Sequence, residues 1–286
     1  MEPSNGPLRE RSGGRGAGRL HLHVLGSGSK GNCALIEGPE GLIMVDDGLS
    51  RREVLARMHA LGLDEVDVRA LILTHEHSDH IGGIPVWCKR FEGRLYASEG
   101  TSAARPRLSD LPFSPFRPGD TLEVAGIRVD SFPTSHDVVN PSGFRFSFAG
   151  DAIGYVTDTG ILPRLARERL RDARILALES NHDMGMLRTG PYPRHLQDRI
   201  SSDRGHLSNS QAAEAARELV TERTEHLVAM HISQENNRPS LAVRALAAAL
   251  GARLDDDLGS TATLEREKGA DLHIRAAGQN RPFSCW

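Results

Sequence analysis

A short apolar run over 70–73 leads straight into His75, Glu76, His77, Ser78, Asp79 and His80, and this junction restricts the possible folds more than any other feature. Four of those six side chains, His75, His77, Asp79 and His80, are metal-capable and have little value for packing. In an extended or turning segment, residues two apart share a face, so His75 and His77 can grip one cation. Asp79 and His80 lie past the bend and reach toward a second, about 3.5 to 4 Å from the first. One hexapeptide cannot complete two such spheres. His136, Asp158 and His231 each follow a short hydrophobic or β-prone run, which predicts three more strand ends carrying ligands. Strand ends of this kind converge on one edge of a sheet.

Alternation and turn residues predict early strands over 20–25, 33–37 and 42–46, with a helix over 51–61 capped by Ser50 and ended by Gly62. Further strands are expected over 70–73, 94–97, 121–124, 128–132, 144–148, 152–157, 174–178 and 225–230, and helices over 84–90, 210–219 and 240–250. There is no internal repeat and no linker that splits the core. The domain is expected over 20–250, after a disordered, Gly/Arg-rich tail (1–19) and before an irregular C-terminal extension (251–286).

The ligand pattern resembles that of the metallo-β-lactamase fold. The resemblance implies an α/β protein, a four-layer αββα sandwich of two mixed β-sheets flanked by helices. It implies two divalent metal ions, Zn2+ or Mn2+. His75, His77 and His136 would hold the first ion, Asp79, His80 and His231 the second, and Asp158 would bridge them. Asp46 matches the aspartate that supports the metal histidines from behind in this family. Outside the metal residues, the glycine loop Leu25 to Asn32, Glu179 to Asp183 with Met186 and Leu187, Gly190 to Pro193, Gly205 to Asn209 and His231 to Asn237 are similar to the YycJ/WalJ branch of metallo-hydrolases. That branch is bacterial and associated with exonuclease action on DNA. Where it usually has Asp-Ala-Gly, this chain has Asp46, Asp47 and Gly48, with Asp47 expected to point outward.

Bulk properties suit a cytoplasmic enzyme. A length of 286 residues is ample for a two-sheet core. No apolar stretch approaches the roughly 20 residues of a membrane helix, and residues 1–19 lack the hydrophobic centre of a secretory signal. Cys33, Cys88 and Cys285 are too few and scattered for a disulfide framework. The net charge of -3 neither supports nor excludes nucleic acid. Among basic groups, Arg9, Arg11, Arg15 and Arg19 read as a solvated tail, whereas Arg188, Arg194, Arg199 and Arg204 are the better candidates for phosphate contact.

A hydroxide bridging two cations would attack a phosphodiester, with Asp79 orienting it or taking its proton. The leaving oxygen needs an acid. Glu179 ends one expected strand and His206 precedes a helix, and the two are similar to the carboxylate and histidine that assist the leaving group in RNase Z-type enzymes. His206 is thus expected as general acid, with Glu179 keeping it protonated. Asn181, His182 and Asn236 are expected behind the ligands with Asp46, and Ser27, Lys30, Asn32, Ser208 and Asn209 as substrate contacts. Isolated His59, His195 and His226 read as structural, and His21 and His23 as facing solvent or a polar layer. The favoured function is a binuclear DNA exonuclease, 5′ to 3′ on duplex ends by resemblance, with nucleic acid as its partner and no membrane. Its rivals are a thioester or lactone hydrolase of glyoxalase II type, an endoribonuclease, and a non-catalytic metal-binding regulator. No long glycine/proline-rich arm and no room between Asp158 and His231 for an inserted β-CASP domain favour DNA over RNA.

Overall fold

The computed structural model describes residues 18–286; the expected tail over 1–17 lies outside them. The first half runs β1 (His21–Gly26), β2 (Cys33–Gly38), β3 (Gly41–Val45), α1 (Arg51–Ala60), β4 (Val68–Ile72), α2 (Ser78–Ile81), α3 (Ile84–Trp87), β5 (Arg94–Ser98), α4 (Glu99–Ala103), α5 (Pro106–Ser109) and β6 (Phe113–Phe116). The second begins β7 (Thr121–Val124), β8 (Ile127–Pro133), β9 (Ser142–Phe148), β10 (Asp151–Val156), α6 (Arg164–Leu170), β11 (Ile175–Glu179), α7 (Met184–Thr189), α8 (Arg194–Ile200) and α9 (Asn209–Leu219). It ends β12 (His226–Met230), α10 (Pro239–Leu250), β13 (Arg253–Leu254), β14 (Thr261–Leu264), β15 (Leu272–Ala276) and β16 (Phe283–Cys285).

Among the described residues these strands form two mixed sheets, ordered β16-β1-β2-β3-β4-β5-β6 and β13-β14-β15-β12-β11-β10-β9-β8-β7. The pleat explains the four layers. In β3, Ile43 and Val45 join the core between the sheets, while Leu42 and Met44 pack outward with Val54 and Met58 of α1. A strand covered on both faces reads as a continuous apolar run. Phe144, Phe146 and Tyr155 fill the inter-sheet layer, each burial contributing about 1.5–3 kcal/mol. On the far face, Leu176, Leu178, Leu227 and Ala229 meet the alanine-rich faces of α9 and α10. The cap of α1 is a capping box, Ser50 with Glu53.

The expectation of an irregular extension over 251–286 is corrected. β14 and β15 extend the second sheet through a parallel pairing with β12, and β16 closes the first sheet against β1. Leu272 and Ile274 are buried and His273 exposed, a half-buried alternation that five residues show only weakly. The partners of β15 in β12 lie 47 positions away and those of β16 in β1 more than 250, so the signal is tertiary. His21 and His23 are buried rather than facing solvent, held in a polar layer by Glu37, Ser284 and the Trp286 ring.

β3 and β4 are parallel, as are β10, β11 and β12, and all five end at one rim of the sandwich. Ser142 N donates to Thr74 O at 2.9 Å, tying the two sheets together there.

Candidate metal centre

Three strand ends at this rim turn through left-handed backbone. Asp46 (φ 58°) and His231 (φ 52°) directly follow β3 and β12, and Asp158 (φ 55°) follows β10 after Thr157. Such a conformation costs an L residue roughly 1–2 kcal/mol, and here it swings each side chain off the pleat toward the shared edge. Gly48 completes the turn after Asp46: a Cβ there would meet Asp79 O at 1.7 Å.

The ligand atoms of His75, His77, His136 and Asp158 all lie within 4.8 Å of one another, and those of Asp79, His80 and His231 form a second such group. Asp158 touches both. Its Oδ1 is 3.7 Å from His136 Nε2 and from His231 Nε2, and its Oδ2 is 3.2 Å from His80 Nε2. That last contact is an ion pair out of line for a hydrogen bond, so Asp158 Oδ2, like His75 Nε2, is buried without a hydrogen bond. Buried orphan polar atoms are rare and costly. A cation supplies both with what they lack, and mixed imidazole and carboxylate donors suit divalent transition metals. The residues therefore fit a metal.

The two groups differ in charge. Burial holds His75 well below the usual histidine range, holds His77 at about 4 and lowers His136, so these three are neutral and ready to ligate. Burial acts the same way on His80 and His231, but carboxylates outweigh it. Asp158, Asp79 and Asp46 raise His80 well above its ordinary value, and Asp158, Asp79 and Glu179 raise His231 to about 10. Asp158 is pulled well below the carboxylate range: His231, His80 and His75 together overcome its burial.

Behind the ligands stands a set of orienting bonds. Asp46 Oδ2 contacts His80 Nδ1 at 2.8 Å while Thr74 N donates to Asp46 Oδ1 at 2.8 Å. His136 Nδ1 bonds Gly205 O at 2.9 Å, and Asn181 Nδ2 is 3.1 Å from His231 Nδ1. Glu179, fully buried, holds His206 Nδ1 at 2.7 Å with Oε1, and its Oε2 accepts from the Thr159 and Leu207 amides. The His206 ring stacks at 5.2 Å on that of His231.

Residues 42–232 match the model of the Beta-lactamase superfamily domain. The chain is a hydrolase of the metallo-β-lactamase superfamily. Within the superfamily it belongs to the YycJ/WalJ branch. It is 36% identical over 227 residues to exodeoxyribonuclease YycJ of Bacillus anthracis, covering 78% of this chain and 86% of the relative. To exodeoxyribonuclease WalJ of Streptococcus pneumoniae it is 36% identical over 225 residues, 77% and 84% of the two chains. Among solved structures, a diphosphatase from the PhnP family shares the fold with a TM-score of 0.63 at 17% identity, over 93% of this chain and 97% of that one.

This member of the superfamily spends most of its expected substrate contacts internally. Ser27 Oγ accepts from His231 N at 2.7 Å, and Asn32, 1% exposed, contacts Asp79 Oδ2 and His80 Nε2. Ser208 caps α9 in a capping box with Gln211, and Asn209 bonds Ser180 and Asn237. Each of these polar side chains, once buried, satisfies a nearby buried group. Lys30 alone of the five stays exposed. Among the expected supporting residues, His182 and Asn236 make no hydrogen bond to a ligand. Their carbonyls tie down the loop, accepting from Asn209 N and Asp183 N.

Asp47 does not point outward. It is 0% exposed, because α2 and α3 fold over it and bring Gly83 against its carboxylate, where a Cβ would lie 2.5 Å from Oδ1. Arg188 and Arg194 pair with Asp198, whereas Arg199 and Arg204 reach the centre, through Asp137 and His136 O. Asp137 itself was not expected. Its Oδ1 lies 3.6 Å from His136 Nε2 and 3.8 Å from His77 Nε2, and its position directly after His136 was the available signal.

Proposed function

We propose that this hydrolase is a binuclear phosphodiesterase acting on DNA as an exonuclease, in the 5′ to 3′ direction and in the cytoplasm. The observation that carries the reading is the His206–Glu179 pair, 2.7 Å apart, on the same rim as the two ligand groups. The relatives named as exodeoxyribonucleases, matched over most of their length, support DNA as the substrate.

In this reading His75, His77 and His136 hold one divalent cation, Zn2+ or Mn2+, Asp79, His80 and His231 hold the other, and Asp158 serves both. When bound, the cations supply a nucleophilic hydroxide at neutral pH and positive charge for the phosphate oxygens. Asp79, whose side chain is 20% exposed, faces the rim and takes or orients the attacking proton. His206 gives a proton to the leaving oxygen. Glu179 stabilises that protonated ring: burial favours the neutral acid, but His206 outweighs it and lowers Glu179 to about 2, so the carboxylate stays charged. A cavity of about 480 Å3 opens beside His136, with Arg204 in its wall, suited to a nucleotide next to the scissile bond. A thioester needs no such leaving-group acid.

The test is the purified protein with manganese or zinc, given end-labelled duplex DNA, labelled RNA and a thioester. Mononucleotide release from DNA alone is expected, with labels at either end reading the polarity. Hydrolysis of the thioester with inert nucleic acids would overturn the proposal.

A further inference from the structure

The loop that follows His136 is held more firmly than a surface turn requires. Thr134 N donates to Pro141 O at 3.1 Å and closes its base. Its crest is tied to the hexapeptide by Glu76, a carboxylate 4% exposed that takes no part in the proposed chemistry. Glu76 Oε1 accepts from Val139 N at 3.0 Å, and Thr101 Oγ1 lies 3.2 Å from Glu76 Oε2 and 3.1 Å from Val139 O. A buried carboxylate persists only where its hydrogen bonds are met, so this clamp fixes the segment between His136 and Val139, and Asp137 with it.

Asp137 faces two ways. Its Oδ1 is as close to His136 Nε2 as Asp158 Oδ1 is, 3.6 Å against 3.7 Å, whereas its Oδ2 accepts from Arg199 Nε at 2.5 Å. The carboxylate therefore stands between the first ligand group and the guanidinium, where it offsets the repulsion between a bound cation and the arginine. Arg199 comes from the last turn of α8, and the next residue, Ile200, accepts from His206 N at 2.9 Å. Only Nε is engaged: the two Nη groups of Arg199 make no hydrogen bond among the described residues, and its side chain is 53% exposed. An exposed ion pair adds little stability, which leaves unexplained a carboxylate turned toward the ligands and an open guanidinium fork beside it.

We propose that Arg199, aimed by Asp137, contacts the phosphate next to the scissile one and so makes the centre prefer a polynucleotide to an isolated phosphodiester. The inference rests on the phosphodiesterase reading. The scissile phosphate belongs to the cations and His206, and Arg199 stands one carboxylate's width further out, in reach of the neighbouring phosphate of the same strand. Its free fork matches two phosphate oxygens at once. Asp137 is a positioning residue: by holding Nε it orders the long side chain before substrate arrives, which reduces the entropy lost on binding.

Two substrates separate the roles: a DNA duplex, and bis(4-nitrophenyl) phosphate, which has a single phosphate. Arg199→Ala is expected to lower kcat/KM on DNA at least about 10-fold more than on the small diester, mainly through KM. Asp137→Ala should give the same pattern, with cation affinity in chelator competition changed by less than about 10-fold. The double variant should be no worse than Arg199→Ala alone. Fluorescence anisotropy of a labelled duplex, with calcium in place of manganese, reads binding without turnover; the slope of log affinity against log salt should fall by about 1 in Arg199→Ala. Asp137→Asn replaces Asp137→Ala if melting curves show that variant unfolded. The proposal falls on equal losses with the two substrates, on an unchanged salt slope, on additive effects in the double variant, or on loss of the cation in Asp137→Ala. Turnover of neither substrate by the unaltered protein would instead remove the phosphodiesterase reading, and the salt slope would still judge Arg199.

Discussion

His206 Nδ1 lies 2.7 Å from Glu179 Oε1, and the carboxylate it meets has no solvent exposure. A hydrogen-bonded charge partner in a dry setting fixes both the tautomer and the aim of the ring. His206→Ala is expected to lower turnover on DNA by about 10²-fold or more with metal content unchanged. Wild-type turnover in that variant would remove His206 as the acid.

Asp46 acts one step back. It grips His80 Nδ1 at 2.8 Å while two bonds from Thr74 hold it. Asp46→Asn should weaken cation affinity about 10–100-fold, measured by competition with a metal chelator, with little change in the melting temperature of the metal-free protein.

Cation binding should release protons. His80 and His231 are raised above the ordinary histidine range, the latter to about 10, so near neutral pH both carry protons that a cation must displace. Affinity is therefore expected to fall as the pH drops below about 10. Titration calorimetry near pH 7.5 in two buffers of different ionisation enthalpy reads the released protons directly; identical heats in both would contradict the assignment.

Asp47 is a liability to the fold. Burial, helped by the Asp46 charge, pushes its carboxyl up to about 7; the Leu49 amide opposes the rise without reaching hydrogen-bond alignment. Because the folded-state value exceeds the unfolded one near 4, the penalty is absent below about pH 4, grows through the interval and is complete above about pH 7. Asp47→Ala should accordingly stabilise the protein by on the order of 3–4 kcal/mol at pH 8, and far less at pH 4.5, in denaturant unfolding.

The residues that gather at the rim were legible in the sequence because their information is local. An apolar strand run followed by a polar turn places His75, Asp158 or His231 at a strand end whatever the rest of the chain does, and the two-residue spacing of His75 and His77 sets a common face. Other features depend on which distant segment arrives. Asp47 is buried only because Gly83 comes down on it, and Ser208 caps its own helix instead of meeting substrate. Leu272–Ala276 and Phe283–Cys285 become strands only because β12 and β1 offer them unpaired edges. Composition and spacing decided what the rim could bind; tertiary packing decided which polar groups face it and which are spent holding it, because burial, unlike periodicity, is set by contacts far apart along the chain.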